Sequence, residues 1–88
     1  MWTIKVEDRA RKDLRKLDAA VQKRIIAYLH MRVANVKDPR VFCQRLTGNK
    51  AGLWRFRVGD YRVVCKFEDH VLIIFVVTVG HRREVYDV

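Results

Sequence analysis

The stretch WRFRVGDYR, residues 54–62, constrains the fold more than any other part of the chain. Apolar and basic residues alternate through it in steps of two, the period of a strand with one buried face. Gly59-Asp60 interrupts the alternation, and glycine can supply the positive φ of a two-residue hairpin turn. With the turn there, Val58 pairs with Tyr61, and pairing runs outward through Arg57 with Arg62, Phe56 with Val63, Arg55 with Val64 and Trp54 with Cys65. One face then carries Trp54, Phe56, Val58, Tyr61, Val63, Cys65 and Phe67, and should meet the core. The other carries Leu53, Arg55, Arg57, Arg62, Val64 and Lys66. Arg57 and Arg62 become direct cross-strand neighbours, at a cost of about 0.2–1 kcal/mol. Such a face is either a solvated basic surface or an anion site on a rigid platform.

The rest of the chain supplies partners for this hairpin. WTIKV (2–6) alternates and predicts a first strand. Glu7 and Asp8 suit a helix start, where negative groups are favoured, and Ala10, Leu14 and Leu17 follow at helical spacing. Asp18 is the expected N-cap of a second helix, whose apolar stripe is Val21, Ile25, Leu29 and Val33, widened by Ile26 and Val36. Asp38-Pro39 is expected to stop it. Residues 40–52 read as loop, and strands are expected at 53–58, 61–68 and 71–79. The last, VLIIFVVTV, is apolar on both sides, as in a strand covered on both faces. These elements predict one α+β domain spanning residues 1–88, with two N-terminal helices packed on a mostly antiparallel four-stranded sheet.

Composition narrows the partners. The 88 residues carry 19 Lys+Arg against 10 Asp+Glu, a net charge of +9 that calls for an anionic partner. Residues 1–52 hold 13 basic and 5 acidic residues, a balance of +8, whereas residues 53–88 hold 6 and 5, a balance of +1. The hairpin arginines therefore matter by position rather than by bulk charge. Cys43 and Cys65 have no metal-ligand spacing and read as reduced thiols, with Cys65 in the core. Charges interrupt the first 20 residues, so no secretion signal is expected, and VLIIFVV is too short to span a bilayer. A cytoplasmic protein without membrane, metal or cofactor is expected.

The tail GHRREVYDV, residues 80–88, adds His81, Arg82, Arg83 and Tyr86 at the exit of the last strand. Taken singly, the histidine reads as a surface residue and the tyrosine as a packing anchor. Together with the hairpin arginines they fit phosphate, which guanidinium groups grip with two parallel hydrogen bonds. The chemistry that needs such a set is RNA cleavage, with the ribose 2′-hydroxyl as attacking group. It requires a base for that proton, an acid for the leaving oxygen and cations around the phosphate.

The order strand, two helices, RLTG loop, LWRFRVGDYRVV, apolar strand and VGHRREVY resembles the RelE/ParE superfamily of toxin–antitoxin systems, above all its RelE branch. The G-x-Y-R turn at Gly59–Arg62 and the tail His81–Tyr86 are the most specific parts. The resemblance implies a ribosome-dependent endoribonuclease that cuts mRNA in the A site by metal-free 2′-hydroxyl attack and so inhibits translation. It also implies a RelB-like antitoxin as partner, with DNA contacted only through that antitoxin. Carried over, Arg62 stabilises the transition-state phosphate, and Arg82 protonates or stabilises the leaving group. Tyr86 stacks on the substrate, and Tyr86 and His81 are alternative general bases. Arg55 and Arg57 stand where relatives carry RNA-contacting lysines, and Arg83 and Lys50 extend that RNA-binding set. Because arginine does not give up its proton, the base must lie in the tail. The alternative within the superfamily is a ParE-like inhibitor of DNA gyrase without nuclease activity.

Overall fold

A computed structural model describes residues 1–84 of the chain. Strand β1 (Thr3–Val6) leads directly into helix α1 (Asp8–Arg15), which turns Ala10 and Leu14 to the core and its charged residues outward. Helix α2 (Ala19–Ala27) follows, with Asp18 in the N-cap position but making no side-chain cap bond. The expected stripe is present: Val21 is half-buried, and Ile25, Leu29 and Val33 are fully buried. The helix is not α-helical to its end, however. From Tyr28 to Val33 it widens into a π-type segment, in which Ala34 N donates to Leu29 O at 2.9 Å. In an α-helix a stripe spaced by four residues drifts ~40° per step. The wider turn rotates less per residue and takes that drift back, so Leu29 and Val33 both stay on the sheet.

Asp38-Pro39 does not end this helix, which stops several residues earlier with the Asn35 amide donating to Met31 O at 3.0 Å. Instead it opens a short 3-10 turn, Pro39–Phe42, whose Arg40 N donates to the Asp38 carboxylate at 3.1 Å. Proline fits there because the first turn of a helix leaves its N–H groups without partners.

Strands β2 (Cys43–Arg45), β3 (Trp54–Val58), β4 (Tyr61–Glu68) and β5 (Ile73–His81) complete a five-stranded mixed sheet in the order β1-β5-β4-β3-β2. Only β1 and β5 are parallel. The α+β class agrees with the sequence reading, and the strand count is one higher than expected. The additional strand, β2, lies inside the stretch that reads as loop, because three residues, Cys-Gln-Arg, are too few to display a period of two. All five expected β3–β4 pairs are found, from Trp54 with Cys65 to Val58 with Tyr61. Gly59 has φ +59° while Asp60 stays negative, the sign pattern of a type II′ turn.

β5 departs from expectation in one respect. It has a strand on each side, but only one face is fully covered: Ile74, Val76 and Val79 are buried, whereas Ile73, Phe75 and Val77 are half-exposed. Its register against β4 slips at Val64/Cys65, so Val77 is an extra residue in a bulge. β1 ends at Val6, alongside Val76, and leaves the far half of β5 without a neighbour on that edge. Helix α1 fills the gap chemically. The Asp13 carboxylate accepts the Thr78 hydroxyl at 2.7 Å and the Val79 backbone N–H at 3.1 Å. A strand edge donor that would otherwise lack a partner is thereby satisfied.

Phe67 centres the core's open end. Trp2 and Trp54 meet its ring edge-on, at centroid distances of 5.4 and 5.8 Å, and Phe56 lies beside it at 6.3 Å. The Arg40 guanidinium stacks 4.3 Å from the Phe67 centroid and 5.2 Å from that of Trp54. It also grips Asp69 with two hydrogen bonds of 2.9 and 2.8 Å, which holds the Asp69 carboxyl below its ordinary range. Trp54 is thus only half-buried, a lid residue rather than the deep core residue its position suggests. Among the described residues, no helix is long and apolar enough to cross a membrane.

Three outcomes follow. Asp13→Ala should lower stability by about 1–3 kcal/mol, because a buried donor loses its acceptor; urea unfolding measures it, and no loss would mean that α1 does not cap β5. Gly59→Ala should cost about 1–2 kcal/mol for its left-handed backbone. The Arg24 guanidinium crosses within 2.7 Å of where the new methyl would stand, so Arg24→Ala should recover part of the loss. Burial pushes the Cys43 thiol up to about 11 and the Cys65 thiol well above its usual value. A thiol raised in the folded state contributes stability that is complete below its unfolded pKa of about 8.5. That contribution declines as pH rises toward the folded pKa, so Cys43→Ala should flatten the alkaline fall of stability between about pH 9 and 11.

Candidate functional site

The residues with chemistry gather at the tip of the β3–β4 hairpin. Arg62 is the first of these, and it is not a solvated surface residue: only 6% of it is exposed. Its Nη1 donates to Gly59 O and to Tyr61 O, both at 3.0 Å, so the turn that precedes it also holds its side chain. Its Nε–H is buried and has no acceptor. An unmatched buried donor on a charged group costs more than the 1–3 kcal/mol typical of a neutral one. Nε and Nη2 together form the guanidinium edge that matches two oxygens of a phosphate.

Arg57 pairs directly with Arg62 across the hairpin and is exposed. On the other side of Arg62, β5 contributes Gly80 in register, leaving that position without a side chain. Beyond it the chain turns back on the hairpin tip. Arg82 N donates to Asp60 O at 2.8 Å, and Arg82 Nη1 lies 3.9 Å from the Asp60 carboxylate. The start of the tail is therefore pinned to the same two-residue turn that orients Arg62.

His81 pairs with Tyr61 in the ladder and meets its ring edge-on at 5.7 Å. Paired residues share a face, so His81 belongs to the Tyr61 side and not to the side of Arg57 and Arg62. Its Nδ1 accepts the backbone N–H of Arg83 at 3.3 Å. In the neutral ring the proton then resides on Nε2, which makes His81 a donor at its outer nitrogen rather than a base there. Arg83 lies in the exposed turn that follows. Tyr86 lies outside the described residues.

The remaining expected residues lie elsewhere on the sheet. Arg55 donates to the Gln44 side-chain oxygen at 2.6 Å and so faces β2. Lys50 ends the 3-10 turn Gly48–Lys50 that leads into β3, at the end of the strand away from the hairpin tip, and it is half-buried and engaged. The structure therefore brings Arg57, Arg62 and Arg82 together, sets His81 just behind them, and leaves Lys50 apart.

One cation at the tip escapes sequence reasoning. Arg24, on the exposed side of α2, lays its guanidinium over Gly59, with Nη1 2.7 Å and Nη2 3.0 Å from an ideal Cβ at that position. Three guanidinium groups, those of Arg24, Arg62 and Arg82, thus converge on a turn that offers the Asp60 carboxylate. The signal for Arg24 was not local: an arginine on a solvated helix face resembles its neighbours until the hairpin is docked against it. Glycine at position 59 has a second reason beyond its φ, since a side chain there would displace Arg24.

The arrangement concentrates positive charge around one turn. Arg62 is held by backbone carbonyls and Arg24 lies over Gly59, while Arg82 shares the Asp60 carboxylate at 3.9 Å.

The family model described as ParE toxin of type II toxin-antitoxin system, parDE, matches residues 4–86. No curated protein matches the chain in sequence. Among solved structures, the fold is similar to that of the toxin–antitoxin complex RelBE2 from Mycobacterium tuberculosis, with a TM-score of 0.85 and 23% identity over 94% of this chain and 93% of that one. The isolated Escherichia coli RelE toxin gives a TM-score of 0.70 and 24% identity over 99% and 93%. The archaeal RelE–RelB complex from Pyrococcus horikoshii gives 0.66 and 22% over 94% and 97%. With the family model spanning nearly its whole length, the chain belongs to the ParE toxin family of type II toxin–antitoxin systems, within the RelE/ParE superfamily.

Proposed function

We propose that this toxin is an endoribonuclease that cuts mRNA on the ribosome, with a RelB-like antitoxin as its neutralising partner. The observation that carries the reading is Arg62: a buried guanidinium, held at Nη1 by its own turn, with Nε unmatched and Arg57 directly beside it. A phosphate would fill the unmatched edge and relieve the repulsion between the two arginines.

In the reaction, the ribose 2′-hydroxyl loses its proton to a base and attacks the adjacent phosphorus. The bond to the 5′-oxygen breaks, that oxygen takes a proton, and the products are a 2′,3′-cyclic phosphate and a free 5′-hydroxyl. Arg57 and Arg62 hold the phosphate and stabilise the charge that builds on its oxygens. Arg82, anchored by its backbone to Asp60, would protonate or stabilise the leaving oxygen. With Nδ1 engaged, His81 offers an Nε2 proton rather than a basic nitrogen, which shifts the role of general base to Tyr86. Arginines around a phenol favour its ionised form.

The antitoxin proposal rests on the family and on the charge. A +9 toxin fits an acidic partner, and similar folds occur in RelE–RelB complexes. A second reading has an observation of its own. The matching family is described by the ParE name, which fits the alternative of a gyrase inhibitor without nuclease activity.

A translation reaction followed by primer extension separates the two. The nuclease reading expects cuts at fixed codon positions, falling at least about 10²-fold with Arg62→Ala or Tyr86→Phe, while Arg62→Ala retains a cooperative melt. Intact messages together with inhibited supercoiling by gyrase would replace it with the ParE reading.

A further inference from the structure

Helix α2 brings one more cation to the hairpin tip than a single phosphate needs. Arg24 reaches across with Nη1 2.7 Å, Nη2 3.0 Å and Cζ 3.1 Å from where a Cβ on Gly59 would stand, so the bare glycine is the seat of this guanidinium. Arg62 Nη1 lies 3.0 Å from the carbonyl oxygen of the same glycine. Two guanidinium groups therefore rest on one residue. Arg24 comes to it from the helix layer, whereas Arg62 belongs with Arg57 to the opposite face of the hairpin. We infer that Arg24 holds a second phosphate of the same RNA strand, the one next to the phosphate on Arg57 and Arg62, so that the strand passes over the tip of the turn. The inference rests on the RNA reading above and adds to it a subsite and the residue that forms it.

Charge supplies the first argument. The guanidinium groups of Arg24, Arg57, Arg62 and Arg82 meet one carboxylate, that of Asp60. Three positive charges are left over, and the scissile phosphate cancels one of them. Arg83 and Glu84, in the turn beyond, offset one another. Asp60 already faces Arg82, and among the described residues no carboxylate pairs with Arg24. An arginine on a solvated helix face is free to carry its head out into water. This one lies on a turn that it shares with a buried guanidinium, and a further anion offsets the repulsion that results. Shape supplies the second argument. Glycine lets a ligand come close to the backbone, and Gly80, in register with Arg62, leaves the adjoining position on β5 bare as well. Arg24 is exposed, so its paired N–H groups are open to two phosphate oxygens. Consecutive phosphates of a strand are separated by one ribose, and the Arg24 and Arg62 guanidinium groups by one glycine. A short strand can meet both without any change in the fold.

Two oligouridines with 2′-O-methyl riboses, one with a single phosphate and one with two, test this without requiring cleavage. Each is titrated into isotopically labelled protein, and amide chemical shifts are followed. The two-phosphate ligand should bind at least about 10-fold more tightly, and only it should move the signals of Arg24 and Gly59. Arg24→Met keeps the length of the side chain over Gly59 but not the charge. It should reduce the gain from the second phosphate to about 2-fold or less and leave the one-phosphate ligand unaffected. The slope of log affinity against log salt for the longer ligand should become shallower by about 0.7. Arg24→Lys, which keeps the charge without the paired donors, should fall between the two. No gain from the second phosphate in the unaltered protein would overturn the inference. An equal loss of both ligands in Arg24→Met would do the same, since Arg24 would then act on the first phosphate or through the turn. Ribosomal RNA is the other source of such a phosphate. If Arg24→Met weakens attachment to ribosomes without message while the preference for two phosphates persists, the subsite belongs to the ribosome and not to the message strand. An Arg24-dependent gain in a protein that cuts no message would sustain the subsite and overturn the nuclease reading instead.

Discussion

The two-residue turn at Gly59-Asp60 is the constraint on which the rest of the site depends. Its geometry sets the β3–β4 register, and a shift of one residue would exchange the two faces of the hairpin. Its carbonyls then act a second time. Gly59 O and Tyr61 O hold the Arg62 guanidinium, and Asp60 O holds the backbone of Arg82. One tight turn thus fixes the pairing of two strands, the direction of a buried cation and the point where the tail leaves the sheet. Arg24 rests on the same glycine and joins helix α2 to it.

Two other contacts hold the sheet that carries the turn. Asp13 closes the β5 edge that β1 leaves bare, so β5 can continue past the end of its parallel partner to Gly80 and His81. Without this cap, the strand that carries the tail to the hairpin tip would have an open edge at the bulge. At the opposite end of the sheet, Arg40 lies over Phe67 and Trp54 and ties two loops together through Asp69. A chain of this size has one modest core, and a charged side chain serves as part of its cover. Not every arginine of this basic protein, then, is there for an anionic partner.

Much of the fold was legible because the hairpin and both helices have strong local patterns. Gly59-Asp60 selects one register, and the stripe Val21, Ile25, Leu29, Val33 identifies one helix face. The shortfalls have physical causes. Strand β2 is three residues long and owes its existence to pairing with β3. The π-type widening at Tyr28–Val33 answers the shape of the sheet beneath it, which no window of sequence contains. VLIIFVVTV suggested cover on both faces, yet strand neighbours on both sides and a bulge account for its composition.

The sequence by itself determined the pairing of Arg57 with Arg62, since that follows from alternation and the turn residues alone. It also placed His81 and Arg82 at the exit of the last strand. Only the tertiary structure decided what state those groups are in. Burial and the turn carbonyls make Arg62 a fixed donor with one unmatched edge. The ladder sets His81 on the side of Tyr61, with Nδ1 accepting the Arg83 N–H. Arg24 and Gln44 enter because helix α2 and strand β2 dock against the hairpin. Those contacts link residues far apart in the chain, and their energies depend on packing and desolvation that no local pattern encodes.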